Sequence, residues 1–278
     1  MQTTQRDLEL FRRLSKYGML STQQIAKIVF NEIALTTILR RLRLLEDKKL
    51  ITRVATLPSH EVLWSVTERG AESVSVSVPK RHWSKNLLEH DYKLLSLRLL
   101  LEEGGIARSW TPEHEIRSMA FRKYGLRGMK DRVIPDALIS TCVKGKMESV
   151  AVEMELTLKN ETKLKKVLSH YREANDLLGV WYIIPRKSMT NQIHKVWNDC
   201  RHFAKGTNIF YSYLDDVMKN PLTANLISIE PLRKIGEVFT PLPAQVTAHH
   251  LSTLDEKKNE SKVELTKENH APILNNAS

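Results

Sequence analysis

Residues 150–159 read VAVEMELTLK, and no other stretch limits the fold so closely. Side chains alternate along an extended strand, so Val150, Val152, Met154, Leu156 and Leu158 share one side. Ala151, Glu153, Glu155, Thr157 and Lys159 share the other. An apolar face of this kind lies against a core, so the charged face must find its partners inside a sheet. Two carboxylates two residues apart on one face are separated by about 7 Å at a rise of ~3.4 Å per residue. They repel each other unless a cation or a raised pKa relieves them. The stretch VIPDALIS, residues 133–140, is a second short strand with Asp136 after Pro135. Hairpin pairing of the two strands sets Asp136 beside Glu153.

A hard divalent cation with oxygen ligands resolves the repulsion, and Mg²⁺ or Mn²⁺ suits one or two carboxylates with water and phosphate in the remaining positions. Asp136, Glu153 and Glu155 are the candidate metal ligands. Such a cation polarises a phosphate and lowers the pKa of an attacking water. Lys159 is the candidate for orienting that water or stabilising developing negative charge. The competing reading is a solvated charged face on an edge strand. The apolar opposite face, and the continuous apolar run VWYIIP that needs a neighbouring strand, favour the metal site.

The surrounding chain alternates strand and helix. ETKLKKVLSHYREANDLLG predicts a helix with Leu164, Val167, Leu168, Tyr171 and Leu178 inward. VWYIIP, then a helix over SMTNQIHKVWNDCRHFAK, then a strand at NIFYSYL complete a mixed sheet flanked by helices. Upstream, KNLLEHDYKLLSLRLLLEEGG predicts a long helix closed by Gly104 and Gly105. IARSWTPEHEIR reads as a strand or strand pair interrupted at Pro112. Residues 117–132 read as a basic, glycine-containing loop whose Arg122, Lys123, Arg127 and Lys130 grip a phosphate backbone.

The first 75 or so residues predict three helices and a hairpin. Ser21 caps the second helix with Gln24 at the capping-box position. The third carries Leu35, Ile38, Leu39, Leu42 and Leu45 on one stripe. Thr36, Thr37, Arg40, Arg41 and Arg43 lie on its other side. This is the order of a winged helix-turn-helix, in which the third helix enters the major groove. Arg53 and His60 on the wing then touch the backbone. A net charge of +11 fits a polyanionic partner, double-stranded DNA. The expected class is therefore α+β: a winged helix over 1–80, a mixed-sheet domain over 81–230, and a disordered tail over 231–278.

The N-terminus lacks the apolar core of a signal peptide, and no stretch reaches the ~18 apolar residues of a membrane span. Cys142 and Cys200 form no metal or redox pairing. A cytoplasmic, reduced protein without membrane contact is expected.

Asp136 in IPDALI, then Glu153-x-Glu155 in a strand, then a helix, resembles the PD-(D/E)xK restriction-endonuclease-like nucleases. Together with the winged helix and the succession EHDYKLLSLRL, WTPEHEIR, IPDALI, VEMELT and KLKKVLSHY, the chain resembles the replication-relaxation family, which includes MobC-type plasmid relaxases. The likeness covers roughly residues 4–215. It implies an enzyme that recognises a transfer or replication origin and nicks one strand, with accessory mobilisation proteins as partners. Asp136, Glu153 and Glu155 fall on the acidic positions of the motif, but Glu155 stands where its lysine belongs. Lys159 or Lys163 is left to supply that charge, and Glu89 and Glu115 are further candidate ligands. Many relaxases use a tyrosine nucleophile, so Tyr171 is a candidate, although its helical stripe places it in the core. Two other readings stand beside the nickase: a non-catalytic DNA-binding regulator, and an endonuclease that cuts both strands. A homodimer is compatible with each.

Overall fold

The structure is a computed structural model that describes residues 2–76, 87–130, 132–157, 159–174, 176–200, 208–227 and 233–241. The chain divides into two compact units, Met1–Leu95 and Ser96–Ser278.

The first unit runs α1 (Gln5–Tyr17), β1 (Leu20–Ser21), α2 (Thr22–Ile28), α3 (Leu35–Asp47), β2 (Ile51–Thr56), β3 (Val62–Val66) and α4 (Glu68–Glu72). The expected three helices and hairpin are all present. A two-residue strand is added, and it makes a sheet of order β1-β3-β2. The starts of α1 and α2 have a local cause. Thr4 accepts from the Asp7 backbone N–H while the Asp7 carboxylate accepts from the Thr4 N–H, and Ser21 and Gln24 make the same reciprocal exchange. Leu10, Phe11, Leu14, Ile25, Ile38, Leu42, Leu45, Leu63 and Trp64 form the core. The α3 stripe begins at Ile38, because Leu35 is exposed.

α5 (Leu88–Glu103) spans the boundary between the units. The second unit continues with β4 (Ser109–Pro112), α6 (Glu113–Met129), β5 (Ala137–Val143), β6 (Lys146–Met154), α7 (Glu161–Glu173) and β7 (Gly179–Ile184). It closes with α8 (Lys187–Asp199), β8 (Asn208–Tyr213), α9 (Leu214–Lys219), β9 (Asn225–Leu226), β10 (Arg233–Lys234) and α10 (Ile235–Val238). Five strands form one mixed sheet in the order β4-β5-β6-β7-β8. β4, β5 and β6 pair antiparallel, whereas β6, β7 and β8 run parallel. The parallel pairs need helical crossovers, which α7 and α8 supply. Leu164, Leu168, Tyr171, Ile193, Val196 and Trp197 from those helices pack on Ala151, Val180, Tyr182, Ile184, Ile209 and Tyr211.

Three expectations are corrected. The basic stretch at 117–132 is not a loop: most of it belongs to α6, a helix broken at Gly125 (φ 64°, ψ −179°). Only Ile116 of α6 is buried, so the helix lacks the apolar stripe by which a sequence announces one. The strand at 150–159 stops at Met154, leaving Thr157 exposed and Lys159 beyond its end. Residues after 231 are not uniformly a tail. β10 pairs with β9, and Ile235 and Phe239 are fully buried, the Phe239 ring lying 5.5 Å from that of Trp181 and 6.1 Å from that of Phe210. Residues 242–278 lie outside those described.

Candidate functional site

The β5–β6 register pairs Ala137 with Val152, which sets Asp136 next to Glu153 at the entrance to the hairpin. Asp136 Oδ2 accepts a 2.8 Å hydrogen bond from the Met154 backbone N–H, fixing the carboxylate against β6. Parallel pairing then sets Glu153 opposite Tyr182, and Tyr182 opposite Tyr211. A row of polar groups thus crosses four strands on one face of an otherwise apolar sheet. From α7 above it, the Tyr171 hydroxyl donates to Glu153 Oε1. Glu155 is also buried, and Lys159 turns back from beyond the strand to pair with its carboxylate.

The electrostatics follow from this enclosure. Burial, reinforced by the neighbouring Asp136 and Glu155 charges and only partly offset by Lys159 and Tyr171, pushes the Glu153 carboxyl up to about 8. Burial lowers the pKa of Lys159, but Glu153 and Glu155 outweigh it and raise the ammonium above its ordinary range. Burial, and then the Glu153 charge, keep Tyr171 and Tyr182 firmly protonated.

Two observations bear on whether a cation fits. Asp136 and Glu153 contribute hard oxygen donors from adjoining strand ends, and such a pair is a usual protein share of a Mg²⁺ site. The hydroxyl of Tyr182, opposite Glu153, is buried without a hydrogen-bond partner, as is that of Tyr211. A polar group left unpaired at such a place suits a bound ion, water or substrate oxygen. The fit is to two carboxylates. Among the described residues no three acidic, histidine or cysteine side chains gather in ligating arrangement, and Glu155 is turned to Lys159.

The remaining candidates separate clearly. Glu115 and Lys163 are exposed, and Glu89, also exposed, pairs with Lys93 at 2.6 Å. Tyr171 is buried as its helical stripe predicts, yet it also reaches Glu153, a contact that no sequence pattern announces. On α3, Thr36, Thr37, Arg40 and Arg43 are exposed. Arg41 does not belong with them: its Nε donates at 2.9 Å to Asp7 Oδ1, its guanidinium also engages Asp7 Oδ2, and it reaches the Gln2 carbonyl at 3.4 Å. Asp7 is fully buried. Burial alone would raise its pKa, but Arg41 and Thr4 overcome that and hold the carboxyl below its usual range. The signal for this clamp was Thr4-x-x-Asp7, a capping box that puts a carboxylate beneath the third helix. Arg53 is half engaged, 2.9 Å from Glu46 and 5.3 Å over the Trp64 ring. His60 is exposed in the turn between β2 and β3 at φ 63°. Arg122, Lys123, Arg127 and Lys130 are exposed on or just beyond α6.

Fold and site together define an α+β protein in which a helical unit with a small sheet precedes a mixed sheet holding a half-buried Asp136 beside a buried Glu153. Its sequence matches the replication-relaxation family over residues 11–180, and the chain belongs to that family. No curated protein matches it. A transcriptional regulator of known structure is similar at 18% identity over 46% of this chain and 79% of that one, with a TM-score of 0.23. The restriction endonuclease FokI is similar at 15% identity and a TM-score of 0.26, over 77% of this chain and 43% of the endonuclease. Likenesses this distant carry no functional argument. Among the described residues no helix is long and apolar enough to cross a membrane.

Proposed function

We propose that this protein is a metal-dependent DNA-nicking relaxase or endonuclease acting at a plasmid or mobile-element transfer origin. The observation that carries the reading is the pairing of Asp136 with a buried Glu153 at adjoining strand ends. Ionising Glu153 beside the half-buried Asp136 is costly, and a divalent cation added to the Lys159 charge would favour both carboxylates in their ionised form. Membership of the replication-relaxation family supports a role in plasmid replication or mobilisation. The second unit fits a PD-(D/E)xK-like nuclease core, and the first a winged helix reading double-stranded DNA.

Asp136 and Glu153 would hold Mg²⁺ or Mn²⁺, which when bound polarises the scissile phosphate and acidifies its water. Asp136 is held in orientation by the Met154 N–H and Glu153 by the Tyr171 hydroxyl. Lys159, paired with Glu155, keeps a fixed positive charge beside the carboxylates, where negative charge develops on the phosphate. Because Tyr171 is buried and spends its hydroxyl on Glu153, water is the nucleophile in this scheme. On α3, Thr36, Thr37, Arg40 and Arg43 meet the major groove, while Arg53 and His60 meet the backbone.

One observation favours a second reading, a non-catalytic DNA-binding regulator. Glu155 occupies the position of the motif's lysine, and Lys159 answers it with a salt bridge. Supercoiled plasmid carrying the DNA that flanks the gene, incubated with Mg²⁺ or Mn²⁺ and with chelator, separates the two. The nickase converts it to open circles only with metal, and Asp136→Ala and Glu153→Ala abolish the conversion. Tight binding without any nicking would establish the regulator, and linear product the double-strand cutter.

A further inference from the structure

α6 leaves and rejoins the sheet at the edge that carries Asp136. Pro112, just before it, pairs with Ala137, and the Glu113 N–H donates to the Asp136 carbonyl at 3.0 Å. Between those points the helix buries Ile116 alone. It exposes large apolar side chains that globular proteins seldom leave together in water: Met119 at 46%, Phe121 at 48%, Tyr124 at 38% and Leu126 at 79%. Arg117, Arg122, Lys123, Arg127, Lys130 and Arg132 are interleaved with them in the sequence.

The distribution discriminates among partners. A helix that docks in a protein groove or lies on a membrane gathers its apolar residues on one side. Here Met119 and Phe121 lie on opposite sides of the helix, Phe121 and Tyr124 are neighbours three residues apart, and the helix breaks at Gly125 before Leu126, so no single apolar side forms and basic residues stand between them. A ligand that offers flat apolar faces and negative charges by turns matches this pattern, and an unpaired nucleic acid strand does so. Tyr124 is already arranged for such a partner. The Arg132 guanidinium lies 3.4 Å from the centre of its ring, and Lys123 lies 5.2 Å from it. A base on the open face would complete a cation–ring–base stack.

We propose that α6 is an arm for single-stranded DNA, stacking bases on Phe121 and Tyr124 while its arginines and lysines hold the phosphates. The inference rests on the DNA reading above and gives that site its substrate form, a locally unpaired strand delivered to the edge where Asp136 lies.

Full-length protein without divalent metal is titrated into labelled oligothymidine of about 15 nucleotides and, separately, into a duplex of equal length. The Phe121→Ala/Tyr124→Ala variant should bind oligothymidine roughly tenfold or more weakly, as expected for lost stacking. Its binding to duplex should stay near that of wild type. Phe121→Trp should keep the affinity, and its added fluorescence should be quenched on binding. These side chains are exposed, so unchanged circular dichroism verifies the fold. Unaltered oligothymidine binding in the double variant overturns the proposal, as does an equal loss on both ligands. Retention on anionic lipid vesicles with no oligothymidine binding also overturns it, in favour of a membrane arm. A protein that never nicks can still pass this assay, so failure of the arm and failure of the nuclease reading are distinguishable.

Discussion

Glu153 concentrates the chemistry of the site into one titration. Folded protein holds the Glu153 proton up to about pH 8, whereas the unfolded chain releases it near the ordinary 4.5. Between those values the native state binds more protons than the unfolded one, so stability falls as pH rises through the window and levels off above it. The loss is on the order of a few kcal/mol. Glu153→Gln keeps an acceptor for the Tyr171 hydroxyl and removes the titration. Thermal unfolding with chelator, followed from pH 5 to pH 8.5, should therefore show a flatter profile for the variant, with its largest advantage over wild type at the alkaline end. A divalent cation should reduce the difference by favouring the ionised carboxylate. Parallel profiles for the two proteins would mean that Glu153 does not carry the buried proton.

At the scale of elements, α3 has two faces with separate duties. Arg41 clamps α1 through the buried Asp7, whereas Arg40, one residue earlier, is exposed. Arg41→Ala strands a buried carboxylate and should lower stability by about 3 kcal/mol. Arg40→Ala should change stability by no more than about 0.5 kcal/mol and should instead weaken DNA binding. Urea unfolding beside an electrophoretic binding assay reads both effects, and a stability loss of equal size in the two variants would remove the distinction. The five arginines and threonines of α3 look alike in sequence because periodicity assigns a face, not a partner 34 positions away. Where local pattern sufficed, the reading was accurate. The Ser21–Gln24 capping box formed, and the strand alternation with Pro135 before Asp136 set Asp136 next to Glu153. Where tertiary packing decided, it fell short. Tyr171 meets Glu153 only because α7 crosses over β6, and Ile235 and Phe239 are buried by a sheet that ends well before them in sequence. α6 escaped for the opposite reason: it packs against little, so no stripe marked it.

For the whole molecule, the proposed base-reading helix and the proposed carboxylate site lie in different compact units, so the effects of mutating them should separate. Thr36→Ala/Arg40→Ala touches only the helix proposed to read bases, and Asp136→Ala touches only the carboxylate pair. Losing base contacts removes roughly 1–3 kcal/mol of discrimination per good contact but leaves the attraction of a +11 chain for phosphate. The α3 variant should therefore still cut plasmid with metal at low salt, at scattered positions, and lose most of that cutting when salt is raised. Asp136→Ala should show the reverse: salt-resistant binding to the origin fragment and no nicks at any salt. Mapping nick positions by primer extension, beside binding titrations over a range of salt, tests both halves together. Should Asp136→Ala weaken origin binding as much as the α3 variant does, the acidic pair would be part of the recognition surface and the division of labour would fail.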